Sequence, residues 1–367
     1  MRAVMMDRPE KSRQLLLDAF INPNLLKGLP LEDWELLIRC AGASKLVAAL
    51  GDKIAVNCPT MLVPEKVLDH FQAAQQLVNY RKQMTTWEMH CLNRALINLD
   101  IDIVLLKGAA YIASELPFAN GRTLSDIDIL VAKENIEEVE KLLSDQGWIT
   151  ASLDEYDDYY YRTWMHEIPP MRHRERYIEV DIHHSILPLT SRLSPDPKTM
   201  LSDAVLAKGG ARNKVFSPVD MVLHSVVHLF HDAELNLTDF RDLVDLHELF
   251  SYFSKQDDKF WEKLDSRAEE LSLYEPLYYA LYFSKSLLKT SVPAELLINK
   301  NRPNFLPRVL MEYLVPLSIL PEDPDFMGKK VAFARWLLYV RSHYLRMPML
   351  MLLQHLMKKS QKRFNHV

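Results

Sequence analysis

The sequence predicts an α+β protein: a small α/β unit set inside largely helical sequence. Three observations carry this reading. Glycine is scarce, 9 of 367 residues, where average usage of roughly 7% would give about 25; glycine is the costliest helix residue after proline. Apolar residues recur at three- and four-residue steps before residue 99 and again after 217, the period of a helix face. Between those stretches, short β-branched runs and two-residue alternation take over, the signature of strands. Apolar residues make up 48% and charged residues 25% of the chain. That balance supports a real core and excludes collagen-like, disordered and linker-like classes.

Residues 1–98 read as an N-terminal helical region. In Pro30-Leu-Glu-Asp-Trp the proline and the acids sit where a helix start favours them. Further on, Val67, Leu68, Phe71, Ala74, Leu77 and Tyr80 mark one helix face. Residues 99–190 read as the α/β core. A buried strand over 101–106 is closed by Lys107-Gly108, and a short helix follows at 109–116. Residues 123–131 alternate as a strand. Residues 135–146 form an amphipathic helix stopped by Gly147, which suits the position after a helix end. Strands are expected at 148–153, 158–165 and 176–182. The run Tyr156-Asp-Asp-Tyr-Tyr-Tyr161 reads as an exposed hairpin, with base stacking as its functional alternative. Residues 191–325 form a C-terminal helical region, with helices at 218–232, 238–253, 257–270, 272–289 and 303–315. Residues 326–367 form a basic helical segment, with a helix at 329–359.

Several function classes are excluded outright. No G-x-G-x-x-G, G-x-x-x-x-G-K-[ST] or G-x-S-x-G occurs, so dinucleotide folds, Walker loops and hydrolase elbows are absent. Three cysteines, Cys40, Cys58 and Cys91, form no C-x-x-C and point to a reducing compartment. The first twenty residues carry early charge and no apolar run, so they do not read as a secretory signal. No apolar run reaches the length of a membrane span. The expectation is a cytoplasmic protein. The net charge of −5 hides an uneven distribution, since residues 326–367 hold nine basic residues and no Asp or Glu. That end reads either as a helix docked on an acidic body or as a contact for phosphates, RNA or an anionic membrane surface.

The most informative stretch is Leu105-Leu-Lys-Gly-Ala-Ala followed by Gly121-Arg-Thr-Leu-Ser-Asp-Ile-Asp-Ile-Leu-Val. On a strand, residues two apart share a face, so Asp126 and Asp128 project together while Ile127 and Ile129 enter the core. Two adjacent carboxylates repel unless a cation lies between them. Oxygen-only ligands suit Mg²⁺, and a pair of such ions serves phosphoryl chemistry. The later run Arg176-Tyr-Ile-Glu-Val-Asp-Ile-His-His offers Asp181 as a third carboxylate, with Glu179 and His183 on its face.

A strand ending in glycine, a helix, a strand with alternating Asp and a later strand with one Asp resemble the polymerase-β-like nucleotidyltransferase superfamily. More narrowly, LLKG, R-x-x-SDIDILV and VDIH are similar to the bacterial uncharacterised nucleotidyltransferase family. The resemblance covers residues 100–190 firmly and the helical parts loosely. It implies a mixed-sheet nucleotidyltransferase core that moves a nucleoside monophosphate from an NTP to a hydroxyl of an acceptor, which is a small molecule, a protein or RNA. Asp126, Asp128 and Asp181 would be the catalytic, metal-binding triad for two Mg²⁺ ions, with Mn²⁺ as substitute. Gly108 would be the close-approach residue beside the triphosphate. The usual Ser or Gly after it is Ala109, so a phosphate-binding hydroxyl is missing; Lys107, Arg122 and Ser125 are the candidates to replace it. Loss of turnover, leaving a nucleotide- or partner-binding protein at a membrane, is the alternative.

Three further constellations bear on the cleft. His183 either orients substrate or ends its strand in a backbone hydrogen bond. His224, His228 and His231 share a helix face, as a zinc site, as core or as cleft lining, and His228 is the one assigned to the cleft. Arg241 either contacts nucleotide phosphates or pairs with Asp245 across one helical turn.

Overall fold

The computed structural model describes residues 8–59, 62–208, 212–298, 302–322 and 328–352. Four helices open the chain: α1 (Arg8–Ile21), α2 (Leu31–Ala43), α3 (Val47–Asn57) and α4 (Glu65–Ala95). As expected, α2 starts after Pro30 with Glu32 and Asp33 in its first turn. The inward line of α4 differs from the expected stripe. Val67, Phe71, Val78, Met89 and Leu92 are buried, but Leu68, Leu77 and Tyr80 are exposed. The cause is tertiary: Phe71 packs on Gly51 of α3, and Glu88, near the other end of α4, receives the Arg176 guanidinium at 2.5 Å.

Seven strands form one mixed sheet. They are β1 (Val104–Leu105), β2 (Asp126–Leu130), β3 (Trp148–Thr150), β4 (Met171–His173), β5 (Glu179–His183), β6 (Val205–Leu206) and β7 (Lys214–Val215), in the order β3-β4-β5-β2-β1-β7-β6. The fold class is the α+β expected. β6 and β7 bring residues beyond 190 into the sheet. At its centre β2 and β5 run parallel, with Asp128 opposite Asp181 and Asp126 opposite Glu179. Ile127, Ile129, Val180 and Ile182 are fully buried on the other face. This alternation fixes the register, because a one-residue slip would expose four core side chains and bury the acids.

The helices between the strands are α5 (Lys107–Ala113), α6 (Ile136–Asp145), α7 (Glu155–Trp164) and α8 (Pro197–Ser202). α7 corrects the sequence reading, which expected a strand over 158–165 and a hairpin of tyrosines. Tyrosine favours strands, but Asp154 caps the Tyr156 and Asp157 amides, and Arg162 pairs with Asp158 one turn back. The cap and the acidic first turn decide for helix. Residues 158–165 therefore leave the sheet, and 171–173, not anticipated, enter it. Gly121 lies against the Ala49 backbone, leaving no room for a Cβ and seating α3 directly on the core.

The C-terminal helices are α9 (Pro218–Val227), α10 (Phe240–Gln256), α11 (Phe260–Glu270), α12 (Tyr274–Leu288), α13 (Glu295–Ile298), α14 (Phe305–Ile319) and α15 (Lys329–Arg346). α9 runs into a wide π-helical turn at His228–Asp232, a local form found often at functional positions. α15 ends earlier than the 329–359 expected. Met347 is extended because the next residue, Pro348, excludes helical backbone before it. Residues 353–359 lie outside the described residues. No described helix is long and apolar enough to cross a membrane.

Candidate active site

One face of the β2–β5 pair gathers the expected acids. Asp128 is buried and Asp126 half-buried, side by side on β2, and Asp181 and His183 stand on β5. Lys107 occupies the turn from β1 into α5 with φ +45°, a left-handed conformation costing a non-glycine residue about 1 kcal/mol. Its Nζ donates to Asp128 Oδ1 at 2.8 Å, and His183 Nε2 lies 3.1 Å from the same oxygen. Burial alone would raise the Asp128 pKa, but Lys107 and His183 outweigh it and hold the carboxylate ionised. Asp181 has no such support. Its Oδ1 is buried without a hydrogen-bond partner, and burial, with Asp128 and Glu167 nearby, pushes its pKa up to about 7.

Across the cleft stands the start of α10. Arg122 Nε donates to Asp245 Oδ2 at 2.6 Å, and its guanidinium lies 3.7 Å from Asp242 and over the Tyr111 ring. Arg241 pairs with its neighbour Asp242 at 3.2 Å. The expected Arg241–Asp245 turn pair is therefore replaced: Asp245 is taken by Arg122, which arrives from the core, and Arg241 is left with Asp242. Gly108 has its close approach, but to protein: a Cβ there would overlap Leu124 and the Arg122 guanidinium. Ser125 Oγ donates to Asp126 at 3.0 Å.

The three histidines on one helix face do not converge, which removes the zinc reading for them. The His224 ring packs on Phe216, and His231 Nε2 meets Ser191 Oγ at 2.7 Å. His228 alone lines the cleft, 3.9 Å from Asp242. The cleft measures about 170 Å³ and brings together Lys107, Gly108, Arg122, Ser125, Asp126 and Asp128 with His228 and Arg241. Its walls carry Lys107, Arg122 and Arg241 against Asp126, Asp128, Asp242 and Asp245. Asp128, Asp245 and Asp242 are already paired with Lys107, Arg122 and Arg241, and Asp126 is the cleft acid left with no ion pair among the described residues. The orphaned Asp181 oxygen is the feature a divalent cation would satisfy; among the described residues the three donor atoms that lie within 4.8 Å of one another belong to His166, Glu167 and His183, and not to Asp126, Asp128 and Asp181.

Two participants were not read from the sequence. Glu167 bridges backbone to backbone with His183, and its Oε2 lies 3.4 Å from His183 Nε2. Asp242 joins Arg122, Arg241 and His228. Glu167 belongs to no local pattern, and Asp242 has only the three-residue repeat of acids Asp239, Asp242 and Asp245 as a weak signal.

The model of the family described as uncharacterised nucleotidyltransferase matches residues 30–289. The chain belongs to this uncharacterised nucleotidyltransferase family. No curated protein and no solved structure matches the chain. The family span runs from the start of α2 to the end of α12. It takes in the whole sheet, the acidic face and the α9–α10 wall, and leaves α14 and α15 outside.

Proposed function

We propose that this family member transfers a nucleoside monophosphate from an NTP to a hydroxyl of an acceptor, releasing pyrophosphate. The observation that carries the proposal is the register of β2 and β5, which sets Asp128 beside Asp181 and Asp126 one step away on a single sheet face. Asp126, Asp128 and Asp181 would hold Mg²⁺ or Mn²⁺, which supplies charge neutralisation for the triphosphate and the departing pyrophosphate. Lys107 and Ser125 flank the acids and hold phosphate oxygens in place of the hydroxyl that Ala109 lacks. Arg122 and Arg241, both tied to carboxylates, fix the opposite wall and donate their remaining N–H groups to the nucleotide. Asp181 also receives the proton of the attacking hydroxyl as general base. Catalysis rests on positioning and preorganised charge. The test supplies each α-labelled NTP with Mg²⁺ and a cell extract as acceptor source. Pyrophosphate release with a labelled acceptor, abolished by Asp126→Ala, is expected; activity that survives the substitution overturns the mechanism.

A second reading concerns where the protein works. α14 exposes Phe305, Leu306, Leu310 and Tyr313, and α15 exposes Phe333, Trp336 and Tyr344. Aromatic and aliphatic groups at helical spacing suit the interface of an anionic bilayer; the α15 part lies in the basic segment without acids from residue 326 onward, and α14 carries one acid, Glu312. Arg335 and Arg341 are already bonded to the Ser318 and Phe230 carbonyls, so α15 is docked on the body by its inner side and the apolar face is the part left for lipid.

A further inference from the structure

Beside the acidic triad lies a group of different chemistry. His166, Glu167 and His183 each place one donor atom within 4.8 Å of the other two. The rings of His166 and His183 stand 5.1 Å apart, and Glu167 Oε2 is 3.4 Å from His183 Nε2. His183 is 2% and His166 8% exposed. A plain His183–Glu167 ion pair accounts for two of the three. It leaves His166 unexplained, because its Nδ1 is buried with no hydrogen-bond partner. A buried imidazole nitrogen without a partner is destabilising and calls for an explanation. Backbone bonds hold this arrangement: Ile168 N donates to Ile182 O, and His184 N to His166 O.

We infer that His166, Glu167 and His183 form a binding site for one transition-metal ion of the Zn²⁺, Co²⁺ or Mn²⁺ class, separate from the oxygen-only Asp126–Asp181 site. Two imidazoles and one carboxylate make a ligand set that Zn²⁺ favours and Mg²⁺ does not. Three protein ligands leave a coordination position open. Asp128 Oδ1, 3.1 Å from His183 Nε2, connects this group to the acidic face of β2. The inference concerns binding and holds whether or not the protein turns over nucleotide, so its failure and that of the nucleotidyl-transfer reading are separable.

The test uses the full chain after chelator treatment, titrated with Co²⁺ in a large excess of Mg²⁺. Binding of one Co²⁺ with a visible ligand-field band is expected. His166→Phe and Glu167→Gln should each weaken it by at least about tenfold, since even partners one step removed from a metal are worth 10–100-fold. Asp126→Asn should leave it unchanged. Melting of each variant in chelator establishes that it is folded, and the rise in melting temperature on adding Zn²⁺ should vanish in both site variants. Absence of the band in excess Mg²⁺ overturns the site. So does undiminished Co²⁺ affinity in both site variants, or loss of binding through Asp126→Asn alone.

Discussion

Asp181 and Gly108 are the two residues whose surroundings make the sharpest demands. A carboxyl pushed up to about 7 in the metal-free protein is mostly protonated below that pH, and a proton must leave before a cation binds. Mg²⁺ or Mn²⁺ affinity at the acidic face should therefore fall up to tenfold per pH unit below about 7 and level off above it. Isothermal titration across pH 5.5–8 measures this, and Asp181→Asn should flatten the profile. At Gly108 the demand is steric. Gly108→Ala would drive a methyl into Leu124 and the Arg122 guanidinium, and overpacking of this kind costs about 1–3 kcal/mol. The variant should lose that much in urea denaturation and lose nucleotide affinity with it. Lys107 shows the same economy of space: its left-handed backbone turns β1 into α5 and delivers the ammonium to Asp128.

Among the elements, the contact of α10 with the core depends on Arg122. This guanidinium comes from the chain just before β2 and enters between Asp242 and Asp245. Arg122→Ala would leave two largely buried carboxylates with one fewer cation, a change worth about 3–5 kcal/mol in buried pairs. Denaturation should show a loss at the lower end of that range, because Arg241 still serves Asp242. Arg122→Lys should recover part of it, lacking the forked geometry. α15 gives a second prediction. Trp336 is 57% exposed and Phe333 59%, so replacing both by Glu should leave the melting temperature nearly unchanged. It should abolish flotation with phosphatidylserine vesicles that the wild type shows; equal flotation of both proteins would remove the membrane reading. The sequence presented α15 as one helix from 329 to 359, and its basic residues as one patch. The fold ends the helix before Pro348 and turns Arg335 and Arg341 inward.

Across the whole molecule, several buried histidines are held neutral and contribute to acid sensitivity, beside carboxylates such as Asp128. His247 is held neutral, its pKa pushed down to about 4 chiefly by burial, and its Nδ1 meets Thr290 Oγ1 at 2.8 Å. A depressed histidine contributes stability that is intact above the unfolded value of about 6.5 and lost as pH falls toward 4. Relative to wild type, His247→Gln should therefore gain stability on acidification through that window, by at most about 3 kcal/mol, in paired urea titrations at pH 7 and 4.5. Legibility follows the range of the interactions. The α+β class, the β2 and β5 acids and their shared face were readable because side-chain alternation along a strand is a local property, and scarce glycine together with helical periodicity located the flanks. Local rules also misled where two of them competed: tyrosines argued for a strand at 158–165, and the Asp154 cap made α7. By itself the sequence determined which side chains are available and which neighbours along the chain share a face. Only the tertiary structure decided that Arg122 takes Asp245 from Arg241, that Glu167 meets His183, and that His228 alone of three histidines reaches the cleft. Those outcomes depend on distances between segments far apart in the chain, and close packing of the whole core, rather than any local pattern, sets such distances.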